Sequence, residues 1–488
     1  MAATASAPST RAQNWNHVNW RKVKAHVYQM QRRIAKAIRQ NKWGKAKALQ
    51  HILSRSFYAK LLAVKTIMSN KGSRTPGIDG VTWKSATARW QAALDLRPHG
   101  YRAQALRRIY ISKKNGKLRP LGIPTLHDRA MQMLYALGLK PIAETVADKH
   151  SYGFREKRSL HDAVQRVFHA LSTKVSAQWI LEADIKACFD CISHEWLLNN
   201  IPLPKGILRQ WLKSGYMEAS TFHHTDEGTP QGGIISPILC NMTLDGLQEL
   251  VIKGRNKKVR KLNIVRYADD FIITGASPDY LLNEIKPEVE RFLKERGLTL
   301  SQEKTKLSHI NEGFHFLGCH ARKYNGKLLI KPEEGKTREL LDGVREFMAS
   351  HHGIPFHIML LKLNRKVRGW AYAYRKTVAK ERMSYVDNQI YLLVRKWLKR
   401  EHRSKTWAWI HKRYTRRPKG RVEFCAEYFS TRGESKIVRL FKAGDLPIRY
   451  HIKVKAEANP YDPAYDDYFE KREKNKQIDR LKDFAKLN

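Results

Sequence analysis

The chain has 488 residues, with 92 Lys+Arg against 45 Asp+Glu, a formal net charge of +47 and 42% hydrophobic content. That length and apolar share exclude a bare basic tail and imply several packed domains, while the charge favours a polyanionic partner, nucleic acid first. No apolar run is long enough to span a bilayer, residues 1–14 lack the apolar centre of a signal peptide, and five cysteines make no disulfide framework, so a reducing cytoplasm is expected.

Sixteen Lys or Arg precede Asp79, the first acidic residue. Within that stretch Trp20, Val23, Val27, Met30, Ile34 and Ile38 recur at helical spacing. One apolar stripe with a cationic remainder suits a membrane-surface helix or a helix lying on a phosphate backbone. The charge of the whole chain favours the second, with Arg21, Lys24, Arg32, Arg33, Lys36 and Arg39 as candidate RNA contacts. Thr75-Pro76-Gly77-Ile78-Asp79-Gly80 is a turn cluster. Arg107–Ile111 and Leu118–Pro124 read as strands joined at Asn115-Gly116, a hairpin carrying Lys113 on one arm and Arg119 on the other. By itself such a hairpin is merely solvated and basic.

An apolar run from Trp179 reaches Asp184, and Phe189 follows five positions later. Cys188 and Cys191 straddle this segment, but no second pair at zinc spacing accompanies them, so metal binding there is not expected. Gly228-Thr229-Pro230-Gln231-Gly232-Gly233 comes next, then Tyr267-Ala268-Asp269-Asp270 between the apolar flanks Ile264-Val265 and Phe271-Ile272-Ile273. An Asp-Asp pair between two strands is ordinarily turn chemistry. A third carboxylate on another strand changes that, because gathered like charges need a cation. Beyond Lys304, Phe314-His315-Phe316-Leu317-Gly318 reads as a short hairpin. From Leu361 to Tyr450 the texture becomes helical, with Leu363, Val367, Trp370 and Tyr374 on one face, and 25 basic residues stand against 7 acidic ones. The surplus argues that one face of this region lies on RNA or DNA, with Arg365, Lys366, Arg368, Arg375 and Lys376, then Lys412, Arg413, Arg416, Arg417 and Lys419, as its candidate contacts. Residues 456–488 read as an extended tail ending in a marginal helix.

Thr75–Gly80, Arg119–Pro124, Ser151-Tyr152-Gly153-Phe154-Arg155, the Asp184 segment, Pro230-Gln231-Gly232, Tyr267–Asp270 and Arg368-Gly369-Trp370 stand in an order that resembles the bacterial group II intron-encoded reverse transcriptase/maturases. The resemblance implies an α+β right-hand polymerase. Its parts would be a flexible N-terminus (1–15), a basic helical extension (16–78), fingers and palm (79–335), a thumb or maturase domain X (336–400), a DNA-binding region (401–455) and a tail (456–488). Asp184 and Asp269 would ligate Mg²⁺, two ions about 3.5–4 Å apart, with Asp270 in support. Lys113 and Arg119 would clasp the deoxynucleoside triphosphate, Phe189 would block a 2′-hydroxyl, Pro230 and Gln231 would lie near the sugar and the templating pair, and Lys304 would approach the leaving pyrophosphate. Partners would be the intron RNA and target DNA, with no membrane. Many members continue into an HNH endonuclease rich in Cys and His; after Tyr267 only Cys319 and Cys425 remain, so cleavage of the second target strand is not expected. A splicing-only maturase and a reverse transcriptase serving CRISPR or antiviral defence stay open as alternatives.

Overall fold

Asn19 opens the first helix by accepting the Lys22 backbone N–H on its side chain, and α1 (Trp20–Arg39) buries Val23, Val27, Met30, Ile34 and Ile38 along one stripe. In the computed structural model, which describes residues 15–112, 116, 118–218, 221–229, 232–417, 420–430 and 433–487, that stripe meets protein. It packs against α2 (Trp43–Arg55) and α3 (Phe57–Met68), and against α5 (Leu126–Val146), which follows α4 (Ala86–Asp95) and a β-hairpin. The membrane-surface alternative for α1 is thereby overturned: its apolar face is core. α5 starts where the Thr125 side chain accepts the Asp128 N–H, and it is buried along most of its length.

The hairpin between α4 and α5 is β1 (Leu106–Ser112) and β2 (Leu118–Ile123), paired antiparallel with Ile111 opposite Arg119. A second sheet is built from β3 (Trp179–Asp184), β6 (Asn263–Tyr267), β7 (Asp270–Gly275) and β8 (Lys306–His309), in the order β6-β7-β3-β8; β4 (Tyr216–Glu218) and β5 (Thr221–His223) extend the first sheet. The chain divides into two compact units, residues 1–163, 181–307 and 454–470 forming one, residues 164–180, 308–453 and 471–488 the other.

The tail expected to be extended before a marginal helix does end in a helix, but it is docked on both units. In the first, Val454 donates its N–H to Asp162 at 2.7 Å, the Asn459 amide donates to the Thr145 hydroxyl at 3.0 Å, and the buried Tyr461 hydroxyl donates to Glu156 at 2.9 Å. In the second, residues 471–487 complete a helix, Asp466–Leu487, whose buried Asp483 pairs with Arg375 and Arg449. A segment poor in apolar residues is held here by buried polar pairs, which composition does not display.

The second unit holds a sheet of β9 (Phe314–Phe316), β10 (Cys319–Tyr324) and β11 (Lys327–Pro332), with the β9–β10 turn at Leu317-Gly318, φ +52 and +74. The helices Glu334–Ser350, Phe356–Tyr374 and Lys380–Glu401 then pack around Val344, Met359, Leu363, Val367, Met383 and Val386. The uniformly helical texture expected up to Tyr450 is corrected beyond Tyr414. β12 (Thr415–Arg416), β13 (Glu423–Phe429) and β14 (Ser435–Arg439) form an antiparallel sheet. Along β13 the residues Phe424, Ala426 and Tyr428 alternate toward the core, a period of two that the surrounding basic residues obscure.

Candidate active site

Asp184 ends β3, and the strand's continuation is clamped by a neighbouring segment: Ser301 donates its N–H to the Asp184 carbonyl at 2.8 Å, and Lys186 donates to Thr299 at 3.0 Å. This bracing carries Lys304 to the Asp184 carboxylate, Nζ to Oδ2 at 2.8 Å. On the other side, β6 and β7 close with Tyr267 opposite Asp270, leaving Ala268 and Asp269 as a two-residue turn. Burial lifts the Asp269 carboxyl above its ordinary range, with Asp184 adding to the effect and Lys304 and Arg119 opposing it. Asp270 is pushed up to about 7 by burial, then by Asp184, Asp269 and Glu182. Asp184, Asp269 and Asp270, close enough for the first two to raise the third, form a donor set fitted to cations, the chemistry of hard oxygen ligands. Among the described residues no three His, Cys, Asp or Glu side chains already converge as a metal-holding group; the Lys304 ammonium is the cation at Asp184.

The turn rests on groups to which the sequence assigned no role. Ala268 adopts φ +58, costly for a residue with a Cβ, yet is only 4% exposed. Beneath it lies Gly153, where a Cβ would stand 2.4 Å from the Ala268 nitrogen, so only glycine fits. The Gly153 carbonyl accepts from the Asn241 amide at 2.8 Å, and Asn241 in turn accepts from Arg266 at 3.2 Å. Arg266, 2% exposed, pairs with Asp245 at 2.5 Å. Burial raises the Asp245 carboxyl to about 6 against the pull of Arg266. The available signal was Arg266 itself, the lone charge in a strand whose core is Ile264 and Val265.

Phe189 sits in the short helix Cys188–Cys191, half-buried, edge-on to Phe154 with ring centroids 6.3 Å apart. Gly228 brings the following loop against this helix: a Cβ there would lie 2.5 Å from the Asp190 carbonyl oxygen, and Thr229 donates to the Phe189 carbonyl at 2.6 Å. Cys188 turns inward to Cys240, Sγ to Sγ 3.6 Å, while Cys191 is half-buried. Lys113, Pro230, Gln231 and Lys419 lie outside the described residues. The structure thus brings together Asp184, Asp269, Asp270 and Lys304, with Arg119 acting on Asp269 from the exposed part of β2.

Phe189→Ala should admit ribonucleotides more readily, because a ring beside the sugar excludes a 2′-hydroxyl by overlap. The ratio of kcat/KM for deoxy- and ribonucleotides measures it, with a fall of about tenfold expected. An unchanged ratio in an active variant makes Phe189 simply packing against Phe154.

Among the candidate polyanion contacts, Arg21, Lys24, Arg33, Lys36, Arg365, Lys366, Arg368, Lys412, Arg413 and Arg417 are exposed. Arg32 and Arg39 pair with Asp466 at 2.5 Å and Asp462 at 3.1 Å, Arg416 pairs with Glu427 at 3.2 Å, and Lys376 lies 3.2 Å from the His451 ring nitrogen. Arg375 is a correction: at 5% exposure, bonded through two nitrogens to Asp483, it has no face to offer RNA.

Known proteins share this organisation. The family described as reverse transcriptase (RNA-dependent DNA polymerase) matches residues 111–321, the N-terminal domain of reverse transcriptase residues 15–96, and the group II intron maturase-specific domain residues 337–415. Protein YkfC of Escherichia coli (strain K12) is 33% identical over 300 residues, 52% of this chain and 78% of YkfC. The group II intron-encoded protein LtrA of Lactococcus lactis is 30% identical over 367 residues, and the chain spans 60% of LtrA's length. A solved telomerase from Candida albicans, in complex with a fragment of telomeric RNA, aligns over 62% of this chain with a TM-score of 0.37 and 12% identity, too remote to add to the fold. With a reverse transcriptase domain bearing the three aspartates, its N-terminal extension and a maturase-specific domain in that order, this chain belongs to the group II intron-encoded reverse transcriptase/maturase family.

Proposed function

We propose that the protein binds its intron RNA, assists splicing and reverse splicing into DNA, and copies the inserted RNA into DNA with two Mg²⁺ ions. The observation that carries this reading is the gathering of Asp184, Asp269 and Asp270 beside Lys304. Asp184 and Asp269 would hold the ions, with Asp270 in support; when bound they would acidify the primer 3′-hydroxyl and screen the triphosphate. The chain's own part is positioning. Arg119 and Lys113 bring a fork and a point charge to the phosphates, and Phe189 bounds the sugar. Pro230 and Gln231 would pack near that sugar and the templating pair. Lys304, once released from its Asp184 partner, would give a proton to the leaving pyrophosphate. Target DNA would lie on the exposed cations Lys412, Arg413 and Arg417.

A single experiment tests the RNA arm. Affinity for the intron RNA should fall steeply with salt, as phosphate neutralisation releases counterions. Arg33→Gln with Lys36→Gln should flatten the log–log slope by about 0.7–0.9 for each phosphate that is no longer neutralised. Arg375→Gln should leave the slope alone, since its charge is spent on Asp483. Salt-independent binding would remove the RNA partner. Splicing assistance without primer extension would reduce the reading to a splicing cofactor.

A further inference from the structure

The first unit contains a cavity of about 990 Å³ that shares no lining residue with the aspartates. Its apolar floor comes from Leu134, Tyr135 and Ile142 of α5 and from Ile201 and Leu203. α2 forms the facing wall, and a Cβ on Gly138 of α5 would stand 3.3 Å from Gln50 of α2, so the two helices close the bottom tightly. Lys47, Arg55 and Lys205 line the cavity, all three are exposed, and none makes an ion pair with a described residue. Among the described residues no Asp or Glu lines it. Trp43 stands 45% exposed beside them, its ring steadied by donating the indole N–H to Asn41 at 2.8 Å. Tyr135 is 8% exposed, yet its hydroxyl has no hydrogen-bond partner among the described residues.

Uncompensated cations, an aromatic face and an unpartnered phenol hydroxyl around an apolar floor together specify a ligand. It has a flat apolar body, one or more polar edge atoms and an anionic appendage. A nucleotide has all three: a base stacks on an aromatic face with little regard to its identity, and a phosphate meets Lys and Arg. We propose that this cavity is a second nucleotide site, receiving one unstacked nucleotide with its base between Trp43 and Tyr135 and its phosphate at Lys47, Arg55 and Lys205. The choice of a nucleotide rests on the RNA-binding function proposed above. The same chemistry is offered by a nucleotide within bound RNA or by a free one.

Photocrosslinking of the full chain tests it, with 8-azidoadenosine monophosphate in one arm and single-stranded RNA carrying 8-azidoadenosine in the other. Labelled peptides are mapped by mass spectrometry. Label within residues 43–55 or 134–142 is expected from at least one arm; RNA alone labelling assigns the occupant to bound RNA, the monophosphate alone to a free nucleotide. Lys47→Ala with Lys205→Ala should weaken capture about tenfold, the scale of one good contact. Tyr135→Phe, which removes only the oxygen, should lower it less. Primer extension on a short primed template should be unchanged in these variants, because none belongs to the polymerase site. Label at neither segment, or equal labelling of Lys47→Ala/Lys205→Ala and the parent chain, overturns the site. In that event intact primer extension and salt-dependent intron binding leave the proposed function standing.

Discussion

Asp269→Asn should abolish primer extension on an RNA template, a loss of at least roughly 10²- to 10³-fold, the scale of deleting one electrostatic group from a transition state. An amide is a poor ligand for a hard cation, and Asp269 is one of two carboxylates proposed to meet it directly. Intron RNA affinity should survive, since the exposed cations lie elsewhere in the sequence. Stability of the chelator-treated protein should move the opposite way. Burial and neighbouring carboxylates raise Asp269 and Asp270, the latter to about 7, so the folded form binds protons more tightly than the unfolded chain. Stability from these groups is therefore present at low pH and is lost as pH rises through about 7. Removing one charge relieves that loss, and Asp269→Asn should melt higher than the parent at pH 8, with the gap narrowing toward pH 5. Near-parental extension, or a lower melting temperature at pH 8, would refute the assignment of Asp269 to this strained cluster.

Arg266→Met should destabilise the fold by about 3–5 kcal/mol, the scale of removing one partner from a buried ion pair. Arg266 is 2% exposed and lies 2.5 Å from Asp245, whose other oxygen is buried without a hydrogen-bond partner among the described residues. Methionine fills the volume but abandons that carboxylate and the Asn241 amide oxygen. Urea unfolding measures the loss. The double variant Arg266→Met/Asp245→Leu should recover most of it, because the stranded charge goes too. Extension by the double variant should nevertheless stay about tenfold or more below the parent, since misplaced reacting groups are costly even at small displacements. Asn241, no longer oriented by Arg266, would hold Gly153 and the Ala268 turn less firmly. A stable double variant of parental activity would show that this network supports the fold alone.

Local features were legible from residues. Asp269-Asp270 between two apolar strands announces a hairpin because strand and turn preferences act over neighbouring positions, and β6 and β7 pair accordingly. The α1 stripe is equally local, and its helix forms as spaced. The order of short motifs was legible as a resemblance to a polymerase palm, because each lies within a few neighbouring residues.

Long-range pairing decided the rest. Arg375 and Arg368 look alike in a count of charges, yet one is buried on Asp483, 108 residues away, and the other is exposed. Arg32 and Arg39 find Asp466 and Asp462 in a tail that composition presents as extended. Arg266 reads as one more cation until Asp245, Asn241 and Gly153 surround it. Hydrophobic periodicity betrays burial because apolar side chains repeat with the element that buries them. A charge carries no such mark: whether it meets water, a carboxylate or a phosphate is set by which distant segment folds beside it, and only tertiary structure brings that partner into reach.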